Sequence, residues 1–501
     1  MRAIILTLDD QISLNMNEPI RQLEPKILWN HFADLNAVPR PSKKEERVIA
    51  FIKAFGEGLK LDTYVDEVGN VIIKKAASAG MENRQTIVLQ SHLDMVHQKN
   101  SDTTFDFDKQ GIEMYVDGDW VRARGTTLGA DNGIGVAAIM SLLSSTDIPH
   151  PAIEALFTID EETGMTGALS LKGGLLAGKT MLNLDTEADN ELTIGCAGGI
   201  DVTATGNYEQ VKPNGNTAFT ISVKGLTGGH SGADIHLGRA NANKIMNRIL
   251  LQLTRECSAG IASINGGSLR NAIPRESVAV VVVDRDMADK MKDTLTELAV
   301  FINEEYRVTD PNLTISAEVA AMPEQVMNTA FQNKLLRAIY TCPYGIYRMS
   351  PEISGLVQSS NNLARVLVAD GAYSLQCLTR SSVDSEKTDL KDAISSAFEL
   401  MDANIACAGS YPGWAPKPDA PIVKLMTNLY SELFNDHAHV NAVHAGLECG
   451  ILGTNYPDIQ MISFGPNING AHSPDECAQI SSVQKFWHYL LETLKRIPDN
   501  S

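Results

Sequence analysis

Five short motifs hold the residue types that bind metal ions and move protons. Each combines a histidine or acidic residues with small or apolar neighbours; they are Ser91-His92-Leu93-Asp94, Gly129-Ala130-Asp131-Asn132-Gly133, Asp160-Glu161-Glu162-Thr163-Gly164, Asn183-Leu184-Asp185 and Ala471-His472-Ser473. Imidazole nitrogens and carboxylate oxygens form a mixed ligand set that suits zinc or a similar divalent ion. A carboxylate shared between two ions would suit a metal pair about 3.5–4 Å apart. In the third motif, one acid could bind metal while its neighbour carries a proton.

Each motif taken alone also has a simpler interpretation. The histidine of the first motif could be an ordinary surface residue. Asp131 could cap a helix, since aspartate is favoured at that position. The acids at 160–162 could begin a solvated helix, where negative charge is favourable. The hypothesis of a metal site therefore rests on the five motifs occurring together.

The predicted secondary structure places the motifs where α/β sheets form their binding sites. Apolar segments predict strands at 86–90, 152–158, 180–184 and 459–464. The first, third and fifth motifs follow three of these strands, and the fourth motif lies at the end of the strand at 180–184. A small-residue segment at 133–143 predicts a helix that opens at the second motif. Sites in such sheets form outside the carboxyl ends of the strands. We therefore expect the five motifs to converge.

The middle of the chain differs in character from both ends. Its strand and helix signals are typical of two ferredoxin-like α+β units in series; strands are predicted at 217–224, 277–283 and 373–379, and helices at 233–254, 287–305, 328–340 and 387–407. A segment rich in glycine and proline at 409–419 indicates a linker. We predict a catalytic domain formed by 1–198 and 401–501, with a lid or dimerisation-like domain inserted at 199–400.

The composition excludes several classes of protein. The chain has 501 residues, of which 44% are hydrophobic and 21% charged, a balance typical of globular rather than disordered proteins. Its formal net charge of −19 argues against binding to nucleic acid or to anionic membranes. No apolar run reaches the ~20 residues that a membrane-spanning helix needs. Seven scattered cysteines favour a cytoplasmic location without a disulfide framework, and residues 1–18 are interpreted as a loose extension.

In order and spacing, the five motifs together resemble those of the di-metal peptidases and deacylases of the carboxypeptidase-G2/aminoacylase type. The segments Thr227-Gly-Gly-His-Ser-Gly232, Arg270-Asn-Ala-Ile-Pro274 and His444-Ala-Gly-Leu-Glu448 strengthen this resemblance, which extends over nearly the whole chain. It implies an α/β fold, with a mixed-sheet, aminopeptidase-like catalytic domain and an inserted α+β lid domain. It also implies two divalent metal ions per chain, with zinc expected first and cobalt or manganese as alternatives, and a homodimer as a candidate assembly.

The resemblance implies a role for each metal-binding residue. His92 would bind one ion, with Glu162 beside it. Asp131 would bridge both ions. Asp185 and His472 would complete the ligands of the other ion.

The resemblance also implies how the reaction runs. Asp94 would stand behind His92 as its clamp, and Glu161 would serve as the general base and acid. Two cations lower the pKa of a water molecule toward neutrality, so that Glu161 could take its proton and later protonate the leaving amine. The implied activity is that of a metallo-dipeptidase that hydrolyses dipeptides, including Xaa-His dipeptides. An N-acyl amino acid deacylase on the same fold and a catalytically inactive metal-binding homologue are the alternatives.

Five further residues are candidate substrate contacts. His230 lies in a glycine-rich turn, and the resemblance implies that it reaches the oxyanion, in some relatives from a partner subunit; an exposed histidine in a turn is the simpler alternative. Arg380 follows an apolar strand and could hold the C-terminal carboxylate of a dipeptide through a bidentate contact. Glu448 could meet the free amino end of the substrate, or be an ordinary helix acid. Asn271 and His444 are weaker candidates.

Overall fold

The computed structural model describes residues 17–500, in which helices and strands alternate. The N-terminal extension proposed above lies largely outside these residues. In chain order the strands are β1 (Asp62–Val65), β2 (Val71–Lys75), β3 (Ile87–His92), β4 (Met114–Asp117), β5 (Trp120–Ala123), β6 (Ile153–Thr158), β7 (Thr180–Asn183), β8 (Glu191–Cys196), β9 (Gly198–Asn207), β10 (Gln210–Val211), β11 (Thr217–Lys224), β12 (Gly260–Gly266), β13 (Ser277–Val283), β14 (Thr314–Ala320), β15 (Val326–Met327), β16 (Gly345–Met349), β17 (Val357–Ala369), β18 (Ala372–Ser381), β19 (Asn404–Tyr411), β20 (His439–Val443), β21 (Gln460–Ser463), β22 (Ile468–Asn469) and β23 (Cys477–Gln479). The α-helices are Glu18–Arg21, Lys26–Asn36, Glu46–Gly58, Ala130–Ser144, Thr166–Ser170, Ala242–Cys257, Ala288–Tyr306, Thr329–Thr341, Asp384–Glu399, Pro421–Phe434, Glu448–Asn455 and Ile480–Arg496. Between residues 17 and 500, no helix is both long and apolar enough to cross a membrane.

The described chain divides into two compact units. The first unit contains the chain up to Gly195, Pro416–Ala442 and the chain from Glu448 onward. The second unit consists of Cys196–Ala415 and Val443–Leu447, and is therefore inserted in the sequence of the first. It continues beyond residue 400 because β19 belongs to its sheet.

An eight-stranded mixed sheet forms the centre of the first unit, in the order β1-β2-β6-β3-β7-β21-β8-β20. The middle strands β6, β3, β7 and β21 are parallel, whereas β1, β2 and β8 pair antiparallel with their neighbours. Strands β3, β6 and β7 are buried along their whole length, as expected for parallel strands that are covered on both faces. The predicted mixed-sheet α/β fold is confirmed, and the first, third and fourth motifs lie at the carboxyl ends of these three strands.

The helix Ala130–Ser144 packs closely on this sheet because its first turns contain small residues. A Cβ atom on Gly135 would lie 2.4 Å from Ser91 Oγ and 2.6 Å from Leu184 O, so that glycine alone permits the approach. Gly129, which precedes the helix, has a φ of 70°, a left-handed conformation that glycine adopts without strain. These two glycines bring the second motif to the strand ends that carry the first and fourth.

The second unit contains a nine-stranded antiparallel sheet, in the order β14-β11-β13-β12-β17-β18-β9-β19, with β16 paired to β17. Helices pack on it through one apolar core. This core includes Ile221 and Val281 of the sheet and Met246, Leu335 and Phe398 of the helices. Because β12 pairs with β17, the strands of the two predicted ferredoxin-like units form a single sheet. The α+β character is as predicted, but the division into two similar units is absent from this sheet.

Three segments of the second unit illustrate how it differs from its predicted secondary structure. The helix predicted at 233–254 starts only after Asn241, whose side chain accepts two backbone N–H bonds as its cap. The helix predicted at 387–407 ends at Glu399, and β19 follows as an edge strand on β9. Strand β17 has no counterpart in the prediction, and its polar segment at 359–362 is buried and hydrogen-bonded to other protein groups. Strands are predicted from apolar patterns, which these polar residues lack. Their burial is tolerated because tertiary contacts supply their hydrogen bonds.

Candidate metal centre and active site

Three side chains of the ligand type meet where β3, β7 and the helix Ala130–Ser144 approach one another. His92 is the last residue of β3, Asp185 follows β7 by two residues, and Asp131 lies in the first turn of the helix. His92 Nε2 is 3.3 Å from Asp131 Oδ1 and 3.5 Å from Asp185 Oδ1. One ligand atom from each residue lies within 4.8 Å of the other two, so a single ion could bind all three.

A second group of ligands shares Asp131 with the first. Asp131 Oδ2 lies 3.2 Å from His472 Nε2, which in turn lies 3.0 Å from Glu162 Oε2. The two oxygens of Asp131 thus face different groups, as a bridging carboxylate requires. The shortest contacts place Asp185 with His92 and Glu162 with His472. This differs from the pairing that the resemblance implied, because Asp185 follows β7, the direct neighbour of β3.

Asp94 connects the histidine of the first motif with the acids of the third. It is fully buried, and its Oδ1 lies 3.3 Å from His92 Nδ1. The other ring nitrogen, Nε2, therefore faces the ligand group. Its two oxygens also accept the backbone N–H groups of Glu161, at 3.1 Å, and Glu162, at 3.3 Å. One carboxylate therefore orients a ligand histidine and holds the backbone of both glutamates.

Glu161 lies beside both ligand groups, and a carboxylate oxygen of it is within 4.8 Å of His92 and Glu162 ligand atoms. Burial raises the pKa of Glu161 well above its usual value. The charge of His92 acts in the opposite direction, and those of Asp185 and Glu448 raise the pKa further. A raised pKa makes a carboxylate a stronger proton acceptor. This is the property that a general base and acid needs.

The residues of the two groups fit a divalent metal ion. Burial raises the pKa values of Glu162 and Asp185. Among the described residues, Glu162 Oε1 and Asp185 Oδ1 are buried oxygens without a hydrogen-bond partner. Burying a carboxylate oxygen without a hydrogen-bond partner is unfavourable in free energy. A cation bound between such oxygens would offset this unfavourable term. Hydrogen bonds from His472 and His92 lower the pKa of Asp131 in spite of its burial, which keeps the shared carboxylate ionised.

Glu448, predicted to meet the amino end of a substrate, lies inside the protein. It is 1% exposed, and its Oε2 accepts hydrogen bonds from Gln90 Nε2, at 2.7 Å, and Thr158 Oγ1, at 2.6 Å. Burial raises the pKa of Glu448 to about 8. The side chain therefore links β3 and β6 inside the protein, and its role as a direct substrate contact stays a prediction.

The second unit holds its own cluster of candidate substrate-binding residues. Arg380 Nη1 donates to the hydroxyl of Tyr411 at 2.9 Å, and Arg380 Nη2 lies 3.5 Å from His230 Nε2. His444 Nε2 lies 2.7 Å from the hydroxyl of Ser360, the cross-strand partner of Arg380. Burial, followed by the charge of Arg380, lowers the pKa of His444 to about 3, so its ring is neutral. Arg380 Nε is buried without a partner in the described part of the chain, which leaves donor capacity for an anion.

The turn around His230 determines which ring nitrogen carries the proton. His230 Nδ1 accepts backbone N–H bonds from Gly232, at 3.2 Å, and Ala233, at 3.0 Å. The neutral ring therefore carries its hydrogen on Nε2, assigned here from the hydrogen-bond network. Burial and then the charge of Arg380 lower the pKa of His230, which favours this neutral form. His230 is accordingly arranged as a donor from Nε2. Asn271 lies beside the turn with its side chain exposed.

Tyr411 was not among the predicted site residues, and it lies in the segment at 409–419 that was predicted as a linker. Tyr411 and Arg380 both pair with Gly199, from opposite sides of β9. A Cβ atom on Gly199 would lie 2.7 Å from the tyrosine ring, so glycine makes room for the ring to cross the strand. The glycine pair at 198–199 was the one signal of this contact in the sequence.

Comparison with known proteins places this chain in a family. Residues 88–496 match the profile of peptidase family M20/M25/M40. The cytosol non-specific dipeptidase of Escherichia coli (strain K12) is 40% identical over 480 residues, which are 96% of this chain and 99% of that protein. The crystal structure of aminoacylhistidine dipeptidase from Vibrio alginolyticus has a TM-score of 0.91 at 40% identity, covering 96% of this chain and 99% of that one. A tripeptidase structure from Staphylococcus aureus, 17% identical with a TM-score of 0.55 over 95% of this chain and 99% of that chain, shows the same fold.

Proposed function

Because the chain belongs to peptidase family M20/M25/M40, we propose that its histidine and carboxylate cluster holds two divalent metal ions and serves the hydrolysis of dipeptides, Xaa-His dipeptides included. The observation that carries the proposal is Asp131, whose two oxygens face two different ligand groups. The names of the two relatives that are 40% identical support dipeptides as the substrate. The chain is a peptidase, and dipeptide hydrolysis is its activity.

The roles of the ligand residues follow from the two groups. His92 and Asp185 would hold one ion, His472 and Glu162 the other, and Asp131 both. When bound, divalent cations would supply Lewis-acid polarisation and acidify a water molecule. We propose zinc, with cobalt or manganese as alternatives, because the set mixes imidazole nitrogen with carboxylate oxygen.

Glu161 is the group that moves the proton. Its carboxylate would take a proton from the attacking water and give it to the nitrogen of the leaving amine as the peptide bond breaks. Asp94 supports this step through its hydrogen bond from the Glu161 backbone N–H, which sets the position of the base. The His230 Nε2–H would donate to the oxyanion that develops on the peptide carbonyl oxygen.

We further propose that Arg380 binds the C-terminal carboxylate of the dipeptide, with Asn271 and His444 as neighbouring contacts. Tyr411 occupies one end of the guanidinium and leaves Nε and Nη2 for the carboxylate. A pair of charge-assisted hydrogen bonds would provide affinity and orientation. A location in the cytoplasm and a homodimer are part of the same proposal.

Replacing Arg380 by alanine is expected to raise KM for dipeptides about 10- to 100-fold, since hydrogen bonds to charged groups contribute about 1.5–3 kcal/mol. The same substitution should have little effect on dipeptides amidated at the C-terminus, which lack the negative charge. Arg248→Ala, which removes an exposed ion pair with Glu305 in the same unit, is the matched control. An equal change in KM for free and amidated substrates would remove Arg380 from the carboxylate site.

A substrate panel tests the proposed function as a whole. Purified protein would be incubated with dipeptides, Xaa-His dipeptides and N-acetyl amino acids, with chelator and with added zinc, cobalt or manganese. We expect metal-dependent cleavage of dipeptides with a free amino end. Cleavage of the acetylated substrates alone would show a deacylase, and no cleavage with any metal would show an inactive homologue.

A further inference from the structure

The turn that carries Asp131 is held by a buried carboxylate from the other end of the chain. Glu476, which is 2% exposed, accepts four consecutive backbone N–H groups. Its Oε2 accepts from Leu128 at 2.7 Å and Gly129 at 2.9 Å, and its Oε1 from Ala130 at 2.7 Å and Asp131 at 3.2 Å. These four N–H groups precede or begin the helix Ala130–Ser144, and the carboxylate that accepts them is that of Glu476. The Asp131 carboxylate is thereby free to face the two ligand histidines.

A buried cation holds the same turn from its carbonyl side. Arg40 is 1% exposed, and its Nη2 donates to Gly129 O at 2.5 Å. Its Nη1 donates to the carbonyl oxygens of Leu93 and Asp94, both at 3.1 Å, which follow His92 in the chain. Gly129 therefore has its N–H held by Glu476 and its carbonyl held by Arg40. The guanidinium also connects this turn to the segment that carries the first motif.

We infer that Glu476 and Arg40 are positioning residues, which set the Asp131 carboxylate in its bridging orientation before any metal ion binds. The inference rests on the proposed di-metal function. His472 lies four residues before Glu476 in the same loop, so one carboxylate fastens the segments that carry both ligands. Ligands held in place by surrounding hydrogen bonds lose less freedom on binding an ion, and such outer partners commonly contribute 10- to 100-fold in metal affinity.

An ordinary helix cap would make a different prediction. A cap stabilises the helix and changes the melting temperature, but it does not selectively alter affinity for a metal. Glu154 offers a matched comparison in the same unit. It is also buried and accepts two backbone N–H groups, from Ala177 at 2.7 Å and Gly178 at 3.0 Å, but it lies four residues before the end of β6 and touches no ligand.

The test is metal binding by the full-length, chelator-treated protein. Zinc and cobalt would be titrated in competition with a chromophoric chelator, for wild type, Glu476→Gln, Arg40→Lys and Glu154→Gln, with circular dichroism to verify folding. In Glu476→Gln the amide offers one acceptor oxygen instead of two, so part of the turn loses its acceptor. We expect metal affinity to fall 10- to 100-fold for Glu476→Gln and Arg40→Lys, and to stay within about twofold of wild type for Glu154→Gln.

The result that would overturn the inference is a folded Glu476→Gln protein that binds both metal equivalents as tightly as wild type. An equal loss in Glu154→Gln would also overturn it, since the effect would then be general destabilisation. If Glu476→Gln does not fold, Glu476→Asp decides, because it keeps the charge and shortens the reach: weakened binding supports positioning and unchanged binding refutes it. A wild-type protein that binds no metal would instead refute the proposed function, which separates the two failures.

Discussion

Replacing Glu161 by glutamine is expected to lower kcat for dipeptides by at least about 10²- to 10⁴-fold, the usual contribution of a general base. Because Glu161 is absent from the two groups that share Asp131, the variant should retain two metal ions per chain. Glutamine keeps the size of the side chain and removes the proton-accepting carboxylate. Elemental analysis of the purified variant, together with kcat at saturating substrate, measures both halves of this expectation.

The adjacent residue provides the control for this prediction. Glu162→Ala removes an oxygen that lies 3.0 Å from His472 Nε2, and we expect it to reduce metal content. Excess metal should partly restore its activity, as mass action requires for a weakened site. Metal lost from Glu161→Gln and kept in Glu162→Ala would reverse the two roles. Unchanged metal content and rate in both variants would contradict the di-metal hydrolase itself.

Removing metal with a chelator is expected to abolish dipeptide hydrolysis while leaving the fold largely intact. The proposed ligands lie at the carboxyl ends of strands in an eight-stranded sheet whose central strands β3, β6 and β7 are completely buried. Such a core does not depend on an ion for folding, in contrast to a small zinc-dependent domain. Far-UV circular dichroism should be nearly unchanged, and the melting temperature should rise when metal is added back, since metal binds the native state.

Two controls make the chelation experiment decisive. Adding zinc, cobalt or manganese to the chelated protein should restore activity, which excludes irreversible damage by the chelator. Glu154→Gln should respond to chelation and to metal as wild type does, because Glu154 is a buried acid away from the ligands. Loss of the far-UV signal on chelation at room temperature would contradict a metal-independent fold.

The residues of the candidate site could be identified from the sequence because its motifs are local. His92, Asp94 and the acids at 160–162 each stand at the end of an apolar strand, and the direction of a parallel sheet brings such ends together. The mixed-sheet α/β fold and the family followed from the same motifs. Edge and polar elements were less visible: β17 and β19 depend on neighbouring strands to satisfy their polar groups, and no local pattern records those neighbours.

Local sequence patterns identified the residue types of the candidate metal site, the strands that carry them and the insertion of a second unit. The folded chain sets which ligand meets which: Asp185 joins His92 because β7 lies beside β3. It also buries Glu448 between strands and brings Tyr411 into contact with Arg380. Motifs and apolar periodicity are visible within a few consecutive residues. Hydrogen bonds between residues far apart in the chain are not, because they depend on strand order and register.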